Sequence, residues 1–260
     1  MIFHEPRRLH TFVHHGLGNR LLAIASTLRL VDRGYFDTAR IGWLPSRELE
    51  AEANDLFSLE CQILQDQPPP TAVTVTDGTV PHVPLRHDLT VTAWGQFTVW
   101  GDNTPKVQLE AEWHRALTSV HFHHRFSHDL PVGDCVGLHC RRTDYLVGTR
   151  TERQLRHTRW DRDFADRVEL EFPRERLFLA SDSPLTKDYF RLRFGSRLVS
   201  AQILAYPQWR VRTKASVEGA ATDLLLLSRC QRVLADNWST FSWAASLLGG
   251  IPHTYWSQSP

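Results

Sequence analysis

The sequence predicts an α/β protein built from parallel sheets with crossover helices, organised in two lobes. Two observations carry that expectation. Short apolar runs of strand length alternate along the chain with segments whose apolar residues recur at helical spacing. A break at Leu130-Pro131 divides the 260 residues into two pieces of domain size, 1–130 and 131–260.

In the first lobe, residues 9–14 read as a strand, followed by the turn Gly16-Leu17-Gly18-Asn19. Residues 21–31 carry the helical pattern, and Gly34 stops the helix. Residues 40–44 form a second short strand. Residues 46–57 are expected to be helical, with Ser46 as N-cap and Leu49, Ala53, Leu56 and Phe57 on one face. Pro68-Pro69-Pro70 breaks the pattern, residues 72–76 and 89–93 alternate as strands do, and 107–118 return to helix. In the second lobe, a buried strand ends in His139-Cys140-Arg141-Arg142. An amphipathic helix follows at 161–170, then a buried strand at 177–180 that ends in Ser181-Asp182-Ser183-Pro184. Residues 185–194 and 220–227 are helical, 232–235 a strand, and 239–248 a helix stopped by Gly249-Gly250.

Composition sets the class. With 42% hydrophobic and 23% charged residues the chain is globular. A net charge of +1 gives no ground for nucleic-acid binding. Cys61, Cys135, Cys140 and Cys230 make no CxxC and no zinc spacing. The last three lie inside apolar runs and read as buried free thiols, which fits a reducing compartment. The first residues lack an apolar signal core, and no apolar run approaches membrane-spanning length. The expectation is a cytoplasmic protein without an integral membrane segment.

Three motifs sit where a strand meets a helix. Gly16-Leu17-Gly18-Asn19-Arg20 offers backbone N–H groups and a helix start to an anionic oxygen. It departs from GxGxxG, because residue 21 is Leu, and it lacks the Lys-Ser/Thr of a P-loop. Taken alone it reads better as a glycine turn capped by Asn19. The second motif places Arg141, Arg142 and Asp144 beyond a buried strand, where an arginine can clamp phosphate or the three can form a surface ion network. The third is Asp236-Asn237-Trp238-Ser239-Thr240-Phe241-Ser242, whose hydroxyls and N–H groups suit a diphosphate, or cap a helix. Upstream, Asp223 is the lone acid among apolar residues and needs a partner, a nucleobase edge or a nearby cation.

Gly16 to Ser26, Val136 to Asp144, Phe178 to Asp182, and Asp223 to Ser228 with Asn237 to Ser242, taken in this order, resemble the GDP-fucose-dependent α1,2-, α1,6- and protein O-fucosyltransferase superfamily. The middle run, through Val147-Gly148-Thr149, is similar to the α1,6 branch, and Gly16-Leu17-Gly18-Asn19 to the other two. The resemblance implies a GT-B fold of two facing Rossmann-like lobes. It implies donor binding mainly by residues 131–260, an acceptor side in 1–130, inversion at the anomeric carbon and no metal or cofactor besides the GDP-sugar co-substrate. Arg141 would grip the β-phosphate. Arg142 would be a second phosphate or orienting group, Asp144 would hold the arginines, and His139 would shape the donor pocket. Asn19, with Gly16 and Gly18, would line the cleft. Asp182 and Asp223 would meet the nucleoside, and Ser239, Thr240, Phe241 and Ser242 the phosphate or base. The acid that follows Val-Gly-Thr in the α1,6 branch is replaced by Arg150, so that either Glu152, the nearest acid, takes the role of base through a shifted loop or no protein base acts.

The expected function is inverting, metal-independent transfer of fucose or a related sugar from a GDP-sugar to a hydroxyl of a carbohydrate, glycolipid or small-molecule acceptor. The alternatives are an inactive nucleotide-sugar-binding protein and a nucleotide-sugar hydrolase. Three further features read more simply as structure than as sites. Asp161-Arg162-Asp163 matches a metal-donor DxD, but reads as acids at the start of a helix. His124 and His128 have zinc-compatible spacing, but read as part of a polar hinge. Trp94 and Trp100 flank a loop where they could stack on a sugar, or they pack in the core.

Overall fold

The computed structural model describes residues 6–46, 49–75, 78–80, 88–99, 101–126, 130–142, 150–199, 213–236 and 239–256, and for 150–158 the backbone. The chain forms two compact units, Met1–His123 and His124–Pro260. The short 3-10 turn His124–Phe126 belongs to the second unit, where Arg125 pairs with Glu218 at 2.9 Å.

The first unit is built on a five-stranded sheet in which every pairing is parallel. Its strands are β1 (Arg8–Val13), β2 (Thr38–Trp43), β4 (Gln62–Leu64), β5 (Val73–Val75) and β7 (Leu89–Ala93). Strand β3 (Phe57–Ser58) pairs with β9 (His121–Phe122), and β6 (Thr79–Val80) with β8 (Thr98–Val99). Helix α1 (Leu17–Asp32) is buried on most of its surface, and Gly34 follows it with φ 73, a left-handed conformation that glycine takes freely. Buried Arg29 ties α1 to α3 (Lys106–Leu117) through Glu112 at 2.7 Å, and to Asp102 at 2.6 Å.

The helix expected over 46–57 is a single turn, α2 (Ala53–Leu56). Ser46 and Leu49 exchange backbone hydrogen bonds at 2.8 and 2.9 Å. Trp43 Nε1 then takes the Ala51 carbonyl at 2.9 Å. Ser46 therefore caps nothing, and the N-cap is Glu52 in a capping box with Asp55.

The second unit has another all-parallel sheet: β10 (Cys135–Cys140), β11 (Arg176–Ser181), β12 (Leu198–Val199), β13 (Arg232–Ala235) and β14 (His253–Tyr255). Its helices are α4 (Arg150–Glu171), α5 (Pro184–Phe194), α6 (Lys214–Ser228) and α7 (Thr240–Gly249). Val136, Leu138, Phe164, Val168, Leu177, Leu179 and Phe190 make the core between sheet and helices. Strand β10 is buried at every residue, as a central parallel strand must be. Gly249 lets α7 approach α6: a Cβ there would lie 2.0 Å from the Ser228 carbonyl oxygen. Gly250 then ends α7 in the left-handed conformation, φ 61. Helix α4 begins far ahead of the predicted residue 161, so Asp161 lies mid-helix and gains nothing from the helix start.

All four cysteines are free thiols, and Cys135, Cys140 and Cys230 are buried. Among the described residues no helix is long and apolar enough to cross a membrane.

Candidate functional site

The second sheet runs β12-β11-β10-β13-β14. Counted along the chain this is 3-2-1-4-5, and the order reverses between β10 and β13. Ligands of doubly wound sheets bind beyond the carboxyl ends of the strands at such a reversal. Arg141 and Arg142 leave β10 there, Asp236 leaves β13, and Asp182 leaves the adjacent β11. The sequence placed all four at strand ends, and the fold brings them to one edge.

The two arginines differ in environment. Arg142 is 1% exposed. Its Nε and Nη2 donate to Asp161 Oδ1 at 3.0 and 2.6 Å, and its Nη1 to Asp236 and to the Arg141 carbonyl at 3.1 Å. Its backbone N–H donates to Asp182 Oδ1 at 2.8 Å. Thr186 Oγ1 donates to Asp161 Oδ2 at 3.0 Å from the first turn of α5. Arg142 is thus locked between two buried carboxylates. The phosphate contact expected of it is not where its guanidinium goes, and the orienting role is what this geometry fits. Asp161 is the counter-ion of Arg142, which explains half of the DxD without a metal; Asp163 pairs with Arg159 at 3.6 Å on the helix surface.

Arg141 is only partly buried. Its carbonyl accepts from Arg142, and its N–H bonds to the Asp236 carboxylate. The Asp236 N–H in turn donates to the His139 carbonyl at 3.1 Å. The backbone that presents Arg141 is therefore held from both sides. Burial pushes the Asp236 carboxyl up to about 6 against the pull of Arg142.

His139 stacks on Phe241, ring centroids 5.1 Å apart and 27° between planes. Burial holds its pKa well below the usual imidazole range, so it is neutral at neutral pH and brings no charge to a phosphate. Phe241 and the half-buried Thr240 open α7 beside it. Ser239 is the α7 N-cap, its hydroxyl accepting from Phe241 N–H at 3.3 Å. Ser242 is fully buried, donates to the Ser239 carbonyl at 3.1 Å and meets His253 Nε2 at 3.1 Å. Both hydroxyls make contacts that shape the turn.

Asp223 on α6 finds its partner in Lys187 of α5, Oδ2 to Nζ 3.5 Å, with both residues buried. The cation is a lysine that the sequence reading had not singled out, and Asp223 Oδ1 has no hydrogen-bond partner among the described residues. Burial pushes Asp223 up to about 6 and pulls Lys187 down. A carboxyl whose folded pKa lies above its unfolded value contributes stability below the unfolded pKa and loses it as pH rises through the folded one. Asp223→Asn, which mimics the protonated acid, is therefore expected to gain on wild type in urea melts as pH rises from about 4 to about 6. A difference that stays flat over that window would show that Asp223 does not titrate there.

In the first unit Gly16 is the N-cap of α1, with φ −72 and no side-chain cap bond, and Gly18 is buried in the first turn. The left-handed residue of the turn is His15, φ 67, rather than either glycine. Asn19 does not cap the helix, and its buried Oδ1 has no partner among the described residues. Asp144 and His128 lie outside the described residues, and Glu152 is described only as backbone in the first turn of α4.

No protein-family model matches the chain, and no curated protein matches it in sequence. Solved structures do match. NodZ α-1,6-fucosyltransferase soaked with GDP-fucose shares 15% identity over 98% of this chain and 96% of its own, TM-score 0.57. NodZ is from Bradyrhizobium. A variant of Arabidopsis thaliana FUT1 in complex with GDP shares 13% over 96% and 70%, TM-score 0.63. POFUT1 in complex with GDP shares 11% over 96% and 98%, TM-score 0.51. The fold is GT-B. At these identities the likeness establishes the architecture, and the chemistry rests on the residues at the carboxyl edge of the second sheet.

Proposed function

We propose that this protein is an inverting, metal-independent glycosyltransferase that moves fucose, or a related sugar, from a GDP-sugar to an acceptor hydroxyl. The observation that carries the reading is Arg141, presented at the reversal of a parallel sheet on a backbone fixed by Arg142 and Asp236. The acceptor oxygen attacks the anomeric carbon, the bond to the β-phosphate oxygen breaks, GDP departs and the acceptor proton leaves to a base or to water. Negative charge grows on the leaving diphosphate, and a preorganised guanidinium stabilises that growth more than it stabilises the ground state. Two fixed N–H donors in a planar fork suit a phosphate edge. The half-buried Thr240 and the start of α7 supply further donors on the same edge. Asp182 and Asp223 are the proposed nucleoside contacts, and Asn19 with Gly16 and Gly18 the proposed contribution of the first unit. The GDP-bound state of the similar structures supports a guanosine donor here.

The test is a thermal-shift series with GDP, UDP, TDP, ADP and CMP at equal concentration. Linkage gives about 2.7 kcal/mol of stabilisation at a hundredfold excess over Kd, so GDP is expected to raise Tm above the other four. An equal or larger shift with UDP or TDP defeats the donor assignment. In the companion transfer assay, turnover is expected to survive excess EDTA; a loss reversed by Mn²⁺ would overturn the metal-independent part.

A further inference from the structure

The first sheet carries a reversal of its own. Its order β4-β2-β1-β7-β5 turns back between β1 and β7, so a ligand crevice is expected beyond the carboxyl ends of those two strands. Val13 and Ala93 are register partners there, and the His14 N–H donates to the Ala93 carbonyl at 3.1 Å. The next residues are His15 and Trp94. Their rings meet edge to face, centroids 4.6 Å apart at 77°. Trp94 is 47% exposed, and it is the aromatic one among the large exposed hydrophobics of the described residues, the others being Val107, Leu170, Leu185 and Leu192.

The backbone at His15 adds an independent observation. Among the described residues it is the non-glycine residue with positive φ. Such a conformation is uncommon outside glycine, although histidine takes it more readily than most side chains, and it persists where surrounding structure dictates it. Arg20 dictates it: its Nε donates to the His15 carbonyl at 2.9 Å, while its Nη2 holds the Leu44 carbonyl at 2.8 Å and its guanidinium stacks on Trp43 at 4.5 Å. A glycine at 15 would adopt this φ without strain. The fold alone thus favours glycine, and the side chain present instead is one that braces the exposed indole.

We infer that His15 and Trp94 form a pyranose platform, so that the acceptor is a saccharide rather than a peptide hydroxyl. The apolar C–H face of the sugar lies on the indole, whose amphipathic body suits a ring with one apolar and one polar aspect. The His15 imidazole braces the indole through the edge-to-face contact. The word acceptor rests on the glycosyltransferase reading; the saccharide site itself does not.

Saturation-transfer NMR on the whole protein with saturating GDP tests this, using the methyl β-glycosides of glucose, galactose and N-acetylglucosamine as probes. Wild type is expected to transfer saturation to the ring C–H protons of at least one glycoside. Trp94→Ala is expected to weaken that binding on the order of tenfold, and Trp94→Phe to retain most of it. The GDP signal is expected to be unchanged in both. His15→Gly is expected to melt at or above the wild-type temperature while losing saccharide signal, the reverse of what a purely structural residue does. No signal from any of the three glycosides, or a wild-type signal in Trp94→Ala, overturns the platform. A lower Tm with full saccharide signal in His15→Gly removes His15 from it. Loss of the GDP signal in wild type would sink the donor reading and leave the platform to be decided by the saccharide signals alone.

Discussion

Arg141→Lys is expected to lower kcat on the order of a hundredfold or more, with Tm close to wild type. Lysine keeps the positive charge and removes the planar fork, so the variant isolates geometry from charge. Stability should hardly move, because what fixes the chain here is the Arg141 backbone, through its carbonyl and its N–H, and the variant keeps both. The effect should fall on kcat more than on KM for the donor, since the guanidinium meets charge that appears as GDP leaves. Near-wild-type turnover in a folded Arg141→Lys protein would refute the proposed mechanism. Glu152→Gln is the companion measurement. A general base contributes about a hundred- to ten-thousandfold, and Glu152 is displaced from the position where the α1,6 pattern has its acid, so the smaller loss is expected there. A larger loss at Glu152 than at Arg141 would move the chemistry's main dependence onto the segment that opens α4.

The strand-to-helix alternation was legible because each buried parallel strand is a short apolar run and its end is marked by the first polar residues. That is why Arg141, Arg142, Asp182 and Asp236 could be set at strand ends from sequence. Their partners were not legible. Arg142 is locked by Asp161, 19 positions on, and by Asp236, 94 positions on, and no local pattern records such pairings. Without the lock, two adjacent arginines look interchangeable; with it, one is a buried strut and the other stays only partly buried. The same holds for Asp223, whose lone-acid signal was visible while Lys187, 36 positions earlier, was not. The 46–57 segment failed for a different reason. Its apolar spacing fits a helix, but the Ser46–Leu49 bridge and the Trp43–Ala51 hydrogen bond take the backbone groups a helix would use. At the first turn, the glycines permit unusual backbone angles, yet the unusual angle falls on His15.

Arg142→Met is expected to cost about 3–5 kcal/mol in urea unfolding, the largest stability loss of any single change considered. Methionine fills similar volume, so the loss measures charge rather than a cavity. Removing the guanidinium leaves Asp161 and Asp236 buried at 2% and 4% side-chain exposure without their shared cation. Burial already lifts Asp236 to about 6, so the variant should lose least at acid pH, where both carboxyls can protonate, and most near neutrality. Replacing one acid as well tests the assignment: Arg142→Met with Asp161→Asn should recover part of the loss, because one uncompensated charge remains in place of two. Arg142→Met within about 1 kcal/mol of wild type, or a double variant no better than the single, would show that the three groups do not act as a unit. If they do, the folded fraction of Arg142→Met should also turn over slowly, since the Arg141 carbonyl loses its donor and Asp236, which holds the Arg141 N–H, loses its cation. Normal kcat per folded molecule would separate the lock from the presentation of Arg141 and confine Arg142 to stability.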